Sequence, residues 1–372
     1  MKIDIIGATY PFRGGNAHYT SLLYINLKKK HRVKLYSYKK QYPRFLYPGK
    51  TDKDPSKKPL KATEAIRILN YANPFSWYLT YKKIKKDAPD LLIFNWFTIF
   101  SSLQFLVISG FIKKFTKIKI LFICHNVVPH EGGFFDKFLT IPVLKKGDFF
   151  VVHSKDDFRN LKKFIPWANI KQAQHPIYDI FGSSKLNKED VKKKLGLKGK
   201  VLLFFGFVRK YKGLEYLIRA LPLILKEIDA TLLIVGEFWE NKKNYENLIS
   251  ELNLKNNLKI VDEYVPNENV GMFFSASDLV VLPYTSATGS GIIQIANSFN
   301  KPSIATKEGC FPDVIEDKKT GYLVEAKSPS SIAKTVLEYF ANPENEKIFS
   351  ANIDKKKDEF SWDRMVETIE SF

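Results

Sequence analysis

Short apolar runs of strand length recur along this chain, each followed by a helix-length segment, and they do so in two series. The first series is "KIDIIGATY" (residues 2–10), "RVKLYSY" (32–38), "DLLIFNW" (90–96), "IKILFICHN" (118–126) and "GDFFVVHS" (147–154). The second is "VLLFFGF" (201–207), "ATLLIVGEF" (230–238), "NLKIVDEYV" (257–265), "DLVVLPY" (278–284), "KPSIAT" (301–306) and "GYLVEA" (321–326). Runs without polar alternation suit strands buried on both faces, and helical segments between them suit crossovers, so each series predicts a parallel sheet covered by helices. The stretch 174–200, with Pro176, Gly182 and two serines ahead of a charged helix, reads as a linker. The expected fold is α/β with two Rossmann-like domains whose sheets face a central cleft. The expected boundaries are residues 1–178 and 179–359, with a terminal helix at about 360–372 packing back on the first domain. Ligands of such sheets bind at the carboxyl ends of the strands.

A length of 372 residues, 45% of them hydrophobic and 26% charged, suits two soluble globular domains, so disorder is not the default reading. The two cysteines, Cys124 and Cys310, form no C-x-x-C pair, and no signal-peptide pattern is read at the start, so a cytoplasmic setting is expected. Window 93–112 is the most membrane-like, but Asn95, Thr98, Ser101, Ser102, Gln104, Ser109 and Gly110 interrupt it, and a strand followed by a helix is expected there. Charge is uneven: residues 1–180 hold 32 Lys and Arg against 12 Asp and Glu, whereas 181–372 hold 27 against 27, so the whole +20 lies in the first half. Such a domain attracts polyanions or an anionic lipid surface, although runs such as "KKKHR" (28–32) equally suit a solvated face. A nucleic-acid-binding role lacks any recognisable reading motif.

Candidate chemistry sits directly after the apolar runs. Arg209 and Lys212 fall between a strand and a helix, where two cations suit a departing diphosphate or, more plainly, a solvated loop. In "TGSG", Thr288 and Gly289 lead to Ser290 and Gly291, which can present backbone N–H groups at a helix N-terminus, holding a phosphate or merely capping the helix. Gly14 and Gly15 in "PFRGG" repeat that logic after the first strand. No acidic residue follows the second strand-like run to take a ribose hydroxyl, which argues against a nicotinamide dehydrogenase. "CHNVVPHEGG" places His125, His130 and Glu131 together, without the helical spacing of a zinc site. "DKD" at 52–54 matches a D-x-D metal pattern but sits in a Pro- and Lys-rich surface excursion (41–60), so a solvated turn is expected.

The order and spacing of "PFRGG", "HNVVPHE", "VVHS", "FGFVRKYKGLEYLIRAL", "LLIVGE", "YVPNENVGMFFSASDLVVLPY", "SGIIQIANSFNKPSIAT" and "GCFPDVIEDKKTGYLV" resemble the retaining nucleotide-sugar glycosyltransferases of family 4, the group 1 glycosyltransferases of GT-B fold. The resemblance spans nearly the whole chain. It implies transfer of a hexose-like sugar from a nucleoside diphosphate sugar to a saccharide or lipid-linked acceptor, with retention, no required cofactor and no metal. A role in cell-surface polysaccharide or glycolipid synthesis follows, with the basic first domain taking the acceptor at the inner membrane face. It also implies that Arg209 and Lys212 neutralise the diphosphate, His125 contacts the donor sugar, Gly14 and Gly15 close over the phosphates, and Glu237, Tyr264 and Val265 hold the nucleoside. The family's two glutamates are replaced by Ala287 and Ile295, aligned on Lys301-Pro302. That departure implies a variant donor site, with phosphate held by amides at Ser290 and Gly291 and Gln294 taking a sugar hydroxyl. The alternative is a non-catalytic GT-B protein that binds a nucleotide or a partner.

Overall fold

The computed structural model describes residues 1–43, 47–62, 64–97, 99–127, 134–181 and 186–372, with the backbone alone described at 99 and 134–137. The chain divides into two compact units: Met1–Asp54, Pro59–Gln174 and Trp362–Phe372 form the first, and Pro55–Lys58 with His175–Ser361 form the second. The first unit holds a sheet of β1 (Lys2–Ile6), β2 (Arg32–Lys40), β3 (Ile66–Asn70), β4 (Leu91–Trp96), β5 (Lys119–Cys124), β6 (Phe149–Val152) and β7 (Asn169–Gln172), in the order β3-β2-β1-β4-β5-β6-β7. The second holds β8 (Lys200–Phe205), β9 (Ala230–Val235), β10 (Leu258–Val261), β11 (Leu279–Leu282), β12 (Ser303–Thr306) and β13 (Gly321–Val324), in the order β10-β9-β8-β11-β12-β13. All neighbouring strands in both sheets are parallel. The strand order reverses beside β1 in the first sheet and beside β8 in the second, and each reversal opens a crevice at the carboxyl ends.

Central strands are apolar because helices cover both faces. Every residue of β4 (LLIFNW) and of β9 (ATLLIV) is buried. Each unit has its own apolar core, centred on residues such as Phe94, Phe105 and Phe122 in the first and Phe204, Leu217 and Ile234 in the second. The polar-interrupted window 93–112 is β4 followed by the helix Ser102–Phe115. Among the described residues no helix is long and apolar enough to cross a membrane. The helix Trp362–Glu370 belongs to the first unit, with Trp362 packed on Tyr19 of the helix Gly15–Lys28 at 5.1 Å between rings.

The expected solvated turn at 52–54 is instead built into the structure. Asp54 N donates to Pro11 O at 2.9 Å, Arg13 N donates to Asp52 O at 3.0 Å, and the Asp54 carboxylate is buried 4.0 Å from His18. Ser56 and Lys57 are anchored too. Ser56 Oγ accepts from Asn267 N at 2.9 Å and Glu268 accepts from Lys57 N at 3.0 Å, which is why Pro55–Lys58 belongs to the second unit.

One buried acid leaves a signature on stability. Asp4, in the middle of β1, is fully buried, and burial followed by the Asp87 carboxylate beside it pushes its pKa up to about 8. The folded state therefore holds a proton that the unfolded chain releases between about pH 4 and pH 8, and Asp4 favours folding less as pH rises through that window. Asp4→Asn is expected to flatten this dependence and to unfold at a higher temperature than the parent at pH 8, as thermal scans from pH 5 to pH 8.5 will show.

Candidate active site

At the reversal beside β8 two loops meet. The loop after β8 carries Gly206, Arg209 and Lys212, and the loop after β11 runs from Pro283 to Ser290 into the helix Gly291–Ser298. They are bonded directly, with Thr285 N donating to Tyr211 O at 2.7 Å. Gly213 adopts φ +65°, and a Cβ there would lie 2.0 Å from Pro283 O, so glycine is required by both conformation and contact.

Lys212 is buried beneath this junction. Its Nζ lies 3.0 Å from where a Cβ on Gly206 would stand, and Ile292, in the first turn of the helix Gly291–Ser298, packs against the same point at 3.2 Å. The ammonium and the helix N-terminus therefore share one small region. Burial, then the charge of Arg209, lowers the Lys212 pKa to about 7. Arg209 is half-buried, its guanidinium 5.4 Å from the Tyr211 ring and 5.7 Å from that of Trp239. A buried lysine, a nearby guanidinium and a helix N-terminus together give a region of positive potential that suits a polyanion.

Around it lie the other candidates of the second unit. Thr288 and Ser290 are buried, and the Ser290 hydroxyl faces that of Tyr284. Gly289 is half-buried, and Gly291 abuts the Tyr178 ring at 3.2 Å from its missing Cβ. Gln294 is wholly buried one turn into the helix, with Oε1 accepting from Asn297. Ala287 packs its carbonyl against Gly309, and both Ala287 and Ile295 are buried, so apolar side chains stand at both positions of the missing glutamates. Glu237 is buried after β9 and accepts from Trp239 Nε1 at 3.2 Å. Phe207 stacks on Trp239 at 4.1 Å and lies 5.9 Å from Tyr264, next to buried Val265. Phe207, Trp239 and Tyr178 escaped the sequence reading; Phe207, adjoining the Arg209 motif, gave the clearest available signal.

In the first unit, Gly14 (φ +97°) and Gly15 open the helix Gly15–Lys28 after β1. His125 follows β5 in a defined hydrogen-bond chain. Thr20 Oγ1 donates to Asn16 O, Asn95 Nδ2 donates to Thr20 Oγ1, and Asn95 Oδ1 is left to accept from His125 Nε2 at 2.6 Å. The histidine thus carries its proton on Nε2. Tyr19 packs edge-on at 4.3 Å, and buried Asp157 accepts from Val127 N at 3.0 Å to hold the strand exit. His130 and Glu131 lie outside the described residues, among which no metal-binding group of His, Cys, Asp or Glu side chains is present.

Two doubly wound parallel sheets, one in each unit, are the two domains of a GT-B fold. Residues 187–356, within the second unit, match the model of the glycosyl transferases group 1 family. Over 194 residues the chain is 25% identical to spore coat protein SA of Bacillus subtilis, covering 49% of this chain and 51% of that protein. Over 165 residues it is 28% identical to N-acetyl-alpha-D-glucosaminyl L-malate synthase of Bacillus anthracis, covering 43% and 42%. The chain thus spans about half the length of the curated relatives it matches. In fold it is similar to HepE of Anabaena, solved in complex with UDP-glucose, with a TM-score of 0.77 at 15% identity and 100% of both chains covered.

Diphosphate binding at Lys212 is expected to depend on pH. A diphosphate bound there would raise the pKa of the buried amine, so binding of inorganic diphosphate is expected to be accompanied by proton uptake at Lys212 above pH 7 and to weaken toward pH 9, by up to about tenfold per unit. Calorimetry in buffers of differing ionisation enthalpy measures this uptake. Because the folded-state pKa is lowered, the unfolded chain binds more protons between about pH 7 and 10.5, and stability rises with pH across that window. Lys212→Met should therefore raise the melting temperature of the unliganded protein at pH 7 by ~2–4 °C while abolishing diphosphate binding.

Proposed function

We propose that this chain is a retaining glycosyltransferase that moves a sugar from a nucleoside diphosphate to a saccharide or lipid-linked acceptor in cell-surface polysaccharide or glycolipid synthesis. The observation that carries this reading is the burial of Lys212 against Gly206 beside the first turn of the helix Gly291–Ser298, with Arg209 next to it. The bond from the anomeric carbon to the diphosphate oxygen breaks, the acceptor hydroxyl forms the new bond on the same face, and its proton leaves with the departing diphosphate. Negative charge grows on the diphosphate as that bond lengthens. Lys212, Arg209 and the amides at Ser290 and Gly291 are positioned to stabilise it without reorganising. Thr288 and Gly289 shape that turn, and Glu237, Tyr264 and Val265 are assigned to the nucleoside. Gln294 is assigned to a sugar hydroxyl. His125, Gly14 and Gly15 are assigned, through the family resemblance, to the donor sugar and phosphates. The chemistry assigned to these groups calls for no cofactor or metal.

The resemblance to a fold solved with UDP-glucose supports UDP as the first donor nucleotide to try. The excess positive charge of the first 180 residues supports acceptor binding there, at the cytoplasmic face of an anionic membrane. A second reading, a nucleotide-binding protein without transfer activity, is favoured by the apolar packing of Ala287 and Ile295.

Thermal unfolding against a panel of nucleoside diphosphates and nucleotide sugars is expected to show stabilisation by one base, about 2.7 kcal/mol at a ligand concentration 100 times Kd. Arg209→Ala/Lys212→Ala should lose it. No shift with any nucleotide in the folded protein contradicts the donor assignment, whereas a shift without turnover of the matching nucleotide sugar supports the second reading.

A further inference from the structure

In the second unit the segments after β8 and β9 stay zipped together beyond the ends of their strands. Val208 N donates to Glu237 O at 2.9 Å and Trp239 N donates to Val208 O at 3.0 Å, so Val208 and Phe238 pair as an isolated parallel bridge. Gly236, at φ +149°, permits this approach, since a Cβ there would lie 2.1 Å from Gly206 O. Side chains alternate along such an extended segment. Phe238 accordingly packs against the unit's apolar core, whereas Trp239, half-buried, lies outside it. Core packing therefore does not account for the tryptophan, and its backbone presents it to the neighbouring loop.

The groups that the indole touches belong to the candidate donor site. Trp239 Nε1 donates to Glu237 Oε2 at 3.2 Å, and Glu237 is a buried carboxylate, which needs donors to hold it in place. The ring stacks on Phe207 at 4.1 Å, with 26° between the planes. The guanidinium carbon of Arg209 stands 5.7 Å from the same ring and 5.4 Å from that of Tyr211. Arg209 needs such support, because the buried Lys212 ammonium is close enough for the two charges to act on each other. Like charges drive a flexible guanidinium outward into water when no anion is bound, and aromatic faces oppose that displacement. Tyr211 sits in the same short loop as Arg209. Trp239 reaches Arg209 from a different strand exit, where backbone hydrogen bonds fix it, so it ties the guanidinium to the body of the sheet.

We infer that Trp239 is a positioning residue of the donor site, holding the Arg209 guanidinium with its ring and the Glu237 carboxylate with its indole N–H. One side chain then sets both the group assigned to the diphosphate and the group assigned to the nucleoside. Trp239 acts through these two neighbours and not on the reacting atoms. This deepens, and rests on, the reading of the second unit as the nucleotide-sugar site.

Substitution separates the two contacts. Trp239→Phe keeps an aromatic face and removes the N–H, whereas Trp239→Leu removes both. The full chain, these two variants, Arg209→Ala and Arg209→Ala/Trp239→Leu are titrated calorimetrically with inorganic diphosphate and with UDP below pH 7, where Lys212 is protonated, and thermal scans report folding. Trp239→Phe is expected to bind diphosphate within about twofold of the parent while losing about threefold or more on UDP. Trp239→Leu should lose about fivefold or more on both ligands. In the Arg209→Ala background, where the held group is gone, Trp239→Leu should cost less than about twofold on diphosphate, an outcome that general damage to the loop does not produce. Diphosphate binding that Trp239→Leu leaves unchanged, or an equal loss with and without Arg209, overturns the inference. So does a Trp239→Phe variant that weakens both ligands alike or neither, and this comparison alone decides if Trp239→Leu does not fold. A parent that binds neither ligand contradicts the donor reading and the inference with it, whereas a parent that binds both, beside variants that match it, overturns the positioning role alone.

Discussion

The hydrogen bond from Thr285 N to Tyr211 O, made across the strand-order reversal beside β8, is the constraint on which the candidate donor site depends. A parallel sheet sends every strand's carboxyl end to the same side, and the reversal parts the neighbouring crossovers there. The two loops can then close on each other only if one backbone runs unusually near the other. Gly213 provides that approach, and Lys212, its neighbour, is carried under the junction as a consequence. Burying an ammonium with a guanidinium nearby is unfavourable in the empty protein. On the proposed reading a diphosphate relieves that cost, so donor affinity and the instability of the unliganded protein would have one origin.

The neutral helix Gly291–Ser298 becomes intelligible in the same terms. Its N-terminal amides supply positive potential without side-chain charge, and the cations come from the facing loop. Carboxylates at positions 287 and 295 would need polar partners or water. Here the Ala287 backbone lies tightly against Gly309 and both side chains are buried, leaving little room or water for a carboxylate. The variant thus has a packing counterpart in the burial of both side chains.

Much of the fold was legible because buried parallel strands leave continuous apolar runs, as in β4 and β9. β3 (IRILN) and β7 (NIKQ) escaped because they are edge strands, only partly buried, and carry polar residues that break the run. Arg209, Lys212 and the TGSG turn were legible from their place after strands, whereas the desolvation of Lys212 was not, since it arises from a junction between segments about seventy residues apart in sequence. The excursion at 41–60 misled for a related reason. Its Pro- and Lys-rich composition describes solvent exposure, but Asp54, Ser56 and Lys57 are engaged by backbone and side-chain partners that composition does not reveal.

The central claim is that the donor diphosphate rests where the loop after β8 meets the helix Gly291–Ser298. Hydrogen–deuterium exchange of the full chain with and without UDP tests it directly. The account predicts slowed exchange concentrated in peptides covering 206–213 and 286–294. Exchange unchanged in both segments under saturating UDP, with protection elsewhere, would contradict it.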